Sequence, residues 1–401
     1  SGTTTITEGT LQVGAGGTAG SLGTGGVVTT GGTLLFNRSD DIAVSNDISG
    51  TGALTKSAAG TNSTLTMTGT NSYSGTPTIT EGTLQIGAGG TTGTLGAGSV
   101  VTTGGTLRLN RSDALTIAGA ISGTGTVTQI GGGTASLTGA NSYSGPTTIS
   151  AGTLQVGAGG AAGTLGSGAV TNNAALAFNR SDAITVANAI SGTGALSQVG
   201  AGTTSLTGAN SYSGTTTISA GTLNVGGAAA VGTLGTGNVV NNATLVIDRS
   251  DAAFTLANNI SGTGALTKSA AGTSSTLTLT GTNSYSGTTT ITEGTLQVGA
   301  GGTTGTLGTG GVVTSGGTLA FNRSDALTVG SAISGTGTVN QVGAGTTSLT
   351  GANTYSGLTA ISAGTLQVGS GGTAGTLGSG AVANNAALAF NRSDAITVAN
   401  A

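Results

Sequence analysis

Residues 175–186 read Ala175-Leu176-Ala177-Phe178-Asn179-Arg180-Ser181-Asp182-Ala183-Ile184-Thr185-Val186. Leu176 and Phe178 alternate with Ala177, and Ile184 and Val186 flank Thr185. A period of two sends successive side chains to opposite faces of an extended chain, so these are two short strands. Asn179 and Asp182 lie between them, and their side chains bond readily to nearby backbone amides, which marks a turn. Outward from this stretch, apolar positions at Leu165, Val170, Ile190, Leu196, Leu206, Ile218 and Leu223 with Val225 bring the strand candidates to nine. Asn172-Asn173, Ser191-Gly192-Thr193-Gly194, Gly200-Ala201-Gly202 and Ser219-Ala220-Gly221 punctuate them with residues that tolerate positive φ. Such Gly and Thr density disfavours helix, and no helix longer than about two turns is expected.

The opening stretch recurs. Arg38, Arg111, Arg180, Arg249, Arg323 and Arg392 each stand in Asn/Asp-Arg-Ser-Asp, at a spacing of about 70 residues. Tyr73, Tyr143, Tyr212, Tyr285 and Tyr355 each stand in Asn-Ser/Thr-Tyr-Ser-Gly and keep the same beat. A fixed period is the signature of a repeat architecture. The chain reads as one continuous array over 1–401, with units near 1–73, 74–143, 144–212, 213–285, 286–355 and a partial 356–401. A longer period lies on top: Lys56-Ser57-Ala58-Ala59-Gly60 returns at Lys268-Ser269-Ala270-Ala271-Gly272, and Ile79-Thr80-Glu81-Gly82 at Ile291-Thr292-Glu293-Gly294, both offset by three units. Nine strands in a unit divide into roughly three coils of about 23 residues, a usual size for one turn of a parallel β-helix. At about 4.8 Å per coil the array predicts a rod of roughly 17 coils and 80 Å around a narrow core of Val, Ile, Leu and Ala.

Composition removes most chemistry. The 401 residues include 81 Gly, 2% aromatic and 5% charged residues, and no His, Cys or Trp. Thiolate and imidazole ligands are therefore absent, as is any ordinary nucleophile–base pair, so no enzyme, cofactor or metal site is expected. Nine basic and twelve acidic residues give a net charge of -3 without a basic stripe, which argues against a nucleic-acid partner. No run of about 18 apolar residues provides a membrane-spanning helix.

From Leu277 to Gly299, through Thr282-Asn283-Ser284-Tyr285-Ser286-Gly287-Thr288-Thr289-Thr290-Ile291-Thr292-Glu293-Gly294-Thr295-Leu296-Gln297-Val298, the sequence resembles the autotransporter-associated β-strand repeat of bacterial passenger domains. The resemblance covers every unit. It implies an all-β fold, a right-handed parallel β-helix (β-solenoid), carried through the outer membrane by a C-terminal β-barrel and displayed extracellularly at the bacterial cell surface.

The arginine and final aspartate of Asn179-Arg180-Ser181-Asp182 and its equivalents make up six of the nine basic residues and six of the twelve acidic ones. They read as a turn or an ion pair at the edge of a coil, with ligand recognition by repeated Arg as the competing reading. One Asp per unit cannot encircle a calcium ion, and the Gly-Gly-x-Gly-x-Asp nonapeptide is missing. Asp40 with Asp41, and Asp248 with Asp251, are the close acid pairs, and neither arrangement repeats as a glycosidase pair would. Thr64-Leu65-Thr66-Met67-Thr68 and Thr76-Pro77-Thr78-Ile79-Thr80 suit exposed strand faces, and appear too rarely for an ice-binding array. A tyrosine row could stack on carbohydrate, yet packing beside the Asn-rich turn explains these residues more simply.

The expected function is a surface stalk or adhesive shaft. Two alternatives are a filament subunit assembled end to end and a module gripping cell-surface or matrix glycans through the repeated Arg and Tyr. Ser1-Gly2-Thr3 repeats at Ser286-Gly287-Thr288 and Asn400-Ala401 at Asn188-Ala189, both inside a unit. The chain is accordingly expected to be a slice of a longer array, with open coil edges that favour end-to-end or lateral self-association.

Overall fold

In Thr64–Met67, Leu65 and Met67 are buried while Thr64 and Thr66 stay half-buried on the outer side. The computed structural model, which describes residues 2–57, 60, 62–269, 275–398 and 400, repeats this alternation in most of its strands. Thr64–Met67 lies parallel to Thr83–Ile86, which lies parallel to Thr106–Leu109, and that strand to Thr126–Gln129. Leu65, Leu84, Leu107 and Val127 thereby stack like on like. Full burial of such a side chain stabilises by about 1.5–3 kcal/mol. The described residues form forty-four short strands and no helix, and their pairings are parallel. The architecture is a parallel β-solenoid. The expectations that fall on Ser1, Ala401, Ala58, Ala59 and Ala270-Ala271-Gly272 lie outside the described residues.

Two compact units can be distinguished. The first comprises Ser1–Gly202 with Asn210–Ser213, and the second Thr203–Ala209 with Gly214–Ala401. In the first, one sheet runs from Ile42–Val44 through Thr64–Met67 to Ile190–Ser191; another joins Thr10–Val13 to Ile121–Gly123; a third begins at Leu115–Ile117. In the second unit, Ala253–Leu256 begins a sheet that reaches Val382–Asn384.

Turn length decides how the repeats are presented. Thr64, Thr83, Thr106 and Thr126 stand on one another in successive turns, so three turns carry the chain from Thr64 to Thr126. The residue equivalent to Thr64 one repeat later is not Thr126 but Thr134, which lies further along the chain and in a different sheet. A repeat therefore does not close on a whole number of turns, and the excess carries the chain on to the next face. Arg38, Arg111 and Arg180 show the step directly: they follow Thr33–Asn37, Thr106–Leu109 and Ala175–Phe178, which belong to three different sheets.

Eight of the nine strand candidates fall on strands. Leu165 is the exception, and the cause is local. After Ile121–Gly123, the chain next crosses that side as Asn141–Ser144, which is not a strand although Ser142 and Ser144 N–H still bond to Ile121 and Gly123 O, each at 2.8 Å. Thr164–Ser167 lies above it, with Ser167 N–H on Tyr143 O at 2.8 Å. Two turns on this side are irregular because they are built around a tyrosine ring.

Candidate functional site

Arg180 emerges where Ala175–Phe178 ends. Its Nε and Nη2 grip Asp182 Oδ1 and Oδ2, both at 2.8 Å, a bidentate fork that suits planar guanidinium. Nη2 also donates to Ala161 O at 2.8 Å, and Nη1 to Gly163 O, in the loop one turn below. A Cβ on Gly157, whose φ is +81°, would sit 2.8 Å from Arg180 Cγ, so glycine clears the path for the side chain. The fork repeats at Arg111 with Asp113 at 2.7 and 2.6 Å, and Arg111 Nη1 reaches Gly93 O at 2.8 Å. Arg323 with Asp325 and Gly305 O repeats it in the second unit. In all six copies the arginine side chain is only 11–14% exposed. The arginine hydrogen bond holds Asp182, and likewise Asp113 and Asp325, below the usual carboxylate range. The motif is an ion pair fastening a loop, and its guanidinium faces the chain, not solvent.

Three of the paired acids, Asp40, Asp41 and Asp251, are also committed elsewhere. Asp40 takes Arg38 Nε at 2.8 Å, while Asp41 Oδ1 accepts Thr64 N–H at 2.6 Å. Asp251 takes Arg249 Nε at 2.9 Å. Arg249 also lies over Phe254, 4.3 Å from the ring centroid. No two of these carboxylates face a common space across which a glycosidic bond could lie.

The tyrosines form no stacking row. Tyr73, Tyr143, Tyr212, Tyr285 and Tyr355 are among the largest fully buried side chains. Tyr143 Oη bonds Thr147 Oγ1 at 2.7 Å, four residues on, and the same pair forms at Tyr285 with Thr289 and Tyr355 with Thr359. Burial pushes these phenols upward. The ring lies against Gly166, where a Cβ would come within 2.5 Å of Tyr143 Cδ2, and Gly308 meets Tyr285 in the same way. Asn141 ties three turns together: its Oδ1 accepts Ile121 N–H at 2.8 Å and its Nδ2 donates to Thr164 O at 2.6 Å. Buried in this way, the repeated Tyr rings and the Arg guanidinium groups are turned into the chain and away from solvent.

A recurring buried polar side chain went unread in the sequence. Lys56, 2% exposed, stacks between Phe36 and Ile79, and its Nζ donates to Ser57 O at 2.8 Å and Ser63 Oγ at 3.0 Å. Lys268 repeats this between Ile247 and Ile291, with Ser275 Oγ at 2.8 Å. Burial pushes both amines down, opposed by the carboxylates of Asp41 and Glu81 at Lys56 and by Asp248, Glu293 and Asp251 at Lys268. Gln129 and Gln341 occupy the equivalent place and donate to Gly131 O and Gly343 O, both at 2.8 Å. Leu54 gave the signal, since a period of two from its inward side chain puts Lys56 inside.

Six stretches match the passenger-associated-transport-repeat family: residues 1–13, 54–86, 127–156, 196–225, 274–298 and 339–368. Five of them span the buried tyrosine of a unit. In these stretches the chain is similar to the repeats of autotransporter passengers. The passenger repeat is thus centred on the Asn–Tyr junction, and the arginine fork lies in the intervening sequence. Over 59 residues the chain is 52% identical to the adhesin BmaC autotransporter of Brucella suis biovar 1 (strain 1330). That stretch is 15% of this chain, and it covers 2% of the length of the relative. No solved structure matches the chain. Among the described residues no three His, Cys, Asp or Glu side chains gather as metal ligands, and no helix is long and apolar enough to cross a membrane.

Proposed function

We propose that this array is an exported, cell-surface shaft whose work is to span distance, with adhesion carried by parts of the protein beyond the shaft. The observation behind this reading is that the repeated Arg, Tyr and junction Asn side chains are turned into the fold. Arginine holds Asp and loop carbonyls, Tyr143, Tyr285 and Tyr355 hold a threonine, and asparagine ties one turn to the next. A ligand-gripping array needs the same free group in a row on one side, whereas Arg38, Arg111 and Arg180 follow strands of three different sheets. Likeness to an autotransporter adhesin supports the secreted, surface location and a structural, non-catalytic role. On this reading the coil is right-handed, makes about three turns per unit, and adds about 4.8 Å of reach with each turn.

Deletion of residues 57–268 from the full-length protein tests the shaft, because it joins Lys56 to Ser269 in register with the three-unit period. Electron micrographs of cells should show a shorter appendage with adhesion nearly unchanged. Adhesion falling in proportion to the number of units removed would contradict it.

A further inference from the structure

The ladder of the solenoid is left open beside the tyrosine junction. In the second unit, Ala326–Val329 pairs along one edge only, with Thr346–Leu349. Asp325 O and Val329 O accept Thr346 and Thr350 N–H from that neighbour, at 3.2 and 2.9 Å. Odd-numbered residues therefore bond toward Thr346–Leu349. Because backbone groups along a parallel strand alternate sides, Thr328 turns its N–H and C=O the other way, toward Thr306–Thr309 in the turn beneath. Among the described residues no backbone hydrogen bond crosses that step. It is bridged by a side chain, Ser331 Oγ donating to Gly308 O at 3.3 Å.

A groove of about 500 Å³ occupies the step, lined by Thr306, Leu307, Thr309, Leu327, Thr328 and Val329. The first unit has its counterpart, about 370 Å³, lined among others by Thr164, Leu165, Ile184, Thr185 and Val186. There Asn188 Nδ2 bridges the step to Gly166 and Gly168 O at 2.7 and 2.6 Å. Neither groove has a charged residue in its lining. In the larger groove the Asn283 and Thr306 side chains are already engaged: Asn283 Nδ2 donates to Thr306 O at 2.7 Å, Asn283 Oδ1 accepts Ile260 N–H at 2.9 Å, and Thr306 Oγ1 donates to Asn283 O at 3.1 Å. The exposed edge of Thr328 is what remains available for hydrogen bonding, above an apolar floor of Leu307, Leu327 and Val329.

We propose that these grooves take an extended, uncharged peptide strand, which adds to the solenoid by main-chain hydrogen bonds at Thr328 and, in the first unit, at Thr185. A peptide backbone offers the alternating donors and acceptors that such an edge lacks, with specificity from small apolar side chains in the floor. A saccharide would find the Asn283 amide and the Thr306 hydroxyl already bonded internally. A charged strand would lose hydration against Leu307 and Val329 with no counter-ion to replace it. The proposal stands apart from the shaft reading, since a shaft could carry such edges or lack them.

The test uses the whole 401-residue chain and a fluorescent, acetylated hexapeptide with the sequence of Thr276–Gly281, followed by anisotropy. Binding should saturate, and the same peptide N-methylated at alternate amides should bind at least about tenfold more weakly. Hydrogen exchange at Thr328 should be fast in the free chain and slowed by the peptide, while Leu327 is protected in both. Thr328→Lys, a change on an exposed side chain, should lower the stoichiometry without altering circular dichroism. Absence of saturable binding, equal binding of the methylated peptide, a Thr328 amide protected in the free chain, or displacement of the peptide by a neutral oligosaccharide such as maltohexaose would each overturn the proposal.

Discussion

Tyr73→Phe and Tyr143→Phe delete the same atom at equivalent positions, and their costs should differ by about 2 kcal/mol. Both rings are buried, at 1% and 0% exposure, and each lies on a glycine of the next turn, Gly96 or Gly166. The difference comes four residues on. Thr147 gives Tyr143 Oη a partner at 2.7 Å, whereas Pro77 occupies that place for Tyr73, whose hydroxyl has none. Tyr143→Phe loses a hydrogen bond with a net value of about 1 kcal/mol and strands the buried Thr147 hydroxyl, which raises the cost to roughly 1–3 kcal/mol. Tyr73→Phe removes a hydroxyl already buried without a partner, so it should be neutral or stabilising by up to about 1 kcal/mol. Repeat arrays open locally, so a single global unfolding transition would blur the contrast. Native-state hydrogen exchange of the Ser142 and Ser144 amides, against Ser72 and Ser74, reads each turn separately. Equal losses at the two sites would refute the reasoning. Pro77→Thr should supply the missing partner and protect the Ser72 turn.

Gly166→Ala drives a methyl to 2.2 Å from the Tyr143 carbonyl oxygen and 2.5 Å from its ring and should cost at least about 1–3 kcal/mol, while Gly160→Ala, with nothing within 4 Å, should be nearly neutral by the same exchange measurement. Leu206→Asp, at a fully buried position, should destroy local protease resistance, and Thr207→Asp on the half-buried outer side should be mild; equal effects would reverse the strand phase. Folded-state depression of Asp113, Asp182 and Asp325 means that their stabilisation is complete above about pH 4 and is lost as pH falls through the folded values. Raised phenols at Tyr143, Tyr285 and Tyr355 have the opposite sense: stability holds below about pH 10 and falls above it, as the unfolded state ionises first. Circular dichroism across pH should show a plateau between those limits, and a transition near pH 6 would contradict it.

Strand phase was legible because Leu176, Phe178 and their equivalents alternate with small residues, and the repeat because Arg and Tyr are rare enough to count. The step from face to face was not, since dividing a unit into whole coils discards the fraction of a turn that produces it. Leu165 looked like a strand residue because apolar spacing is blind to the tyrosine ring that bends the chain around it. Lys56 stood at an inward position by simple alternation from Leu54, but a lysine is ordinarily read as solvent-facing, and only stacking between Phe36 and Ile79 shows otherwise. The open edge at Thr328 depends on which neighbour the strand lacks, a tertiary fact with no local sequence signal.

Because the chain has no cysteine, paired cysteines can report directly on turn length and on the step between faces. Thr128 stands opposite Thr148 and Thr148 opposite Thr171 in adjacent turns, at ladder spacing of about 4.8 Å, within reach of a disulfide. Ser197 is the equivalent of Thr128 one repeat later, but it lies in a different sheet. Mild oxidation should close Thr128→Cys with Thr148→Cys, and Thr148→Cys with Thr171→Cys, while Thr128→Cys with Ser197→Cys stays reduced. Free thiols in the first two pairs, or a bond in the third, would contradict a parallel solenoid whose repeats advance by one face.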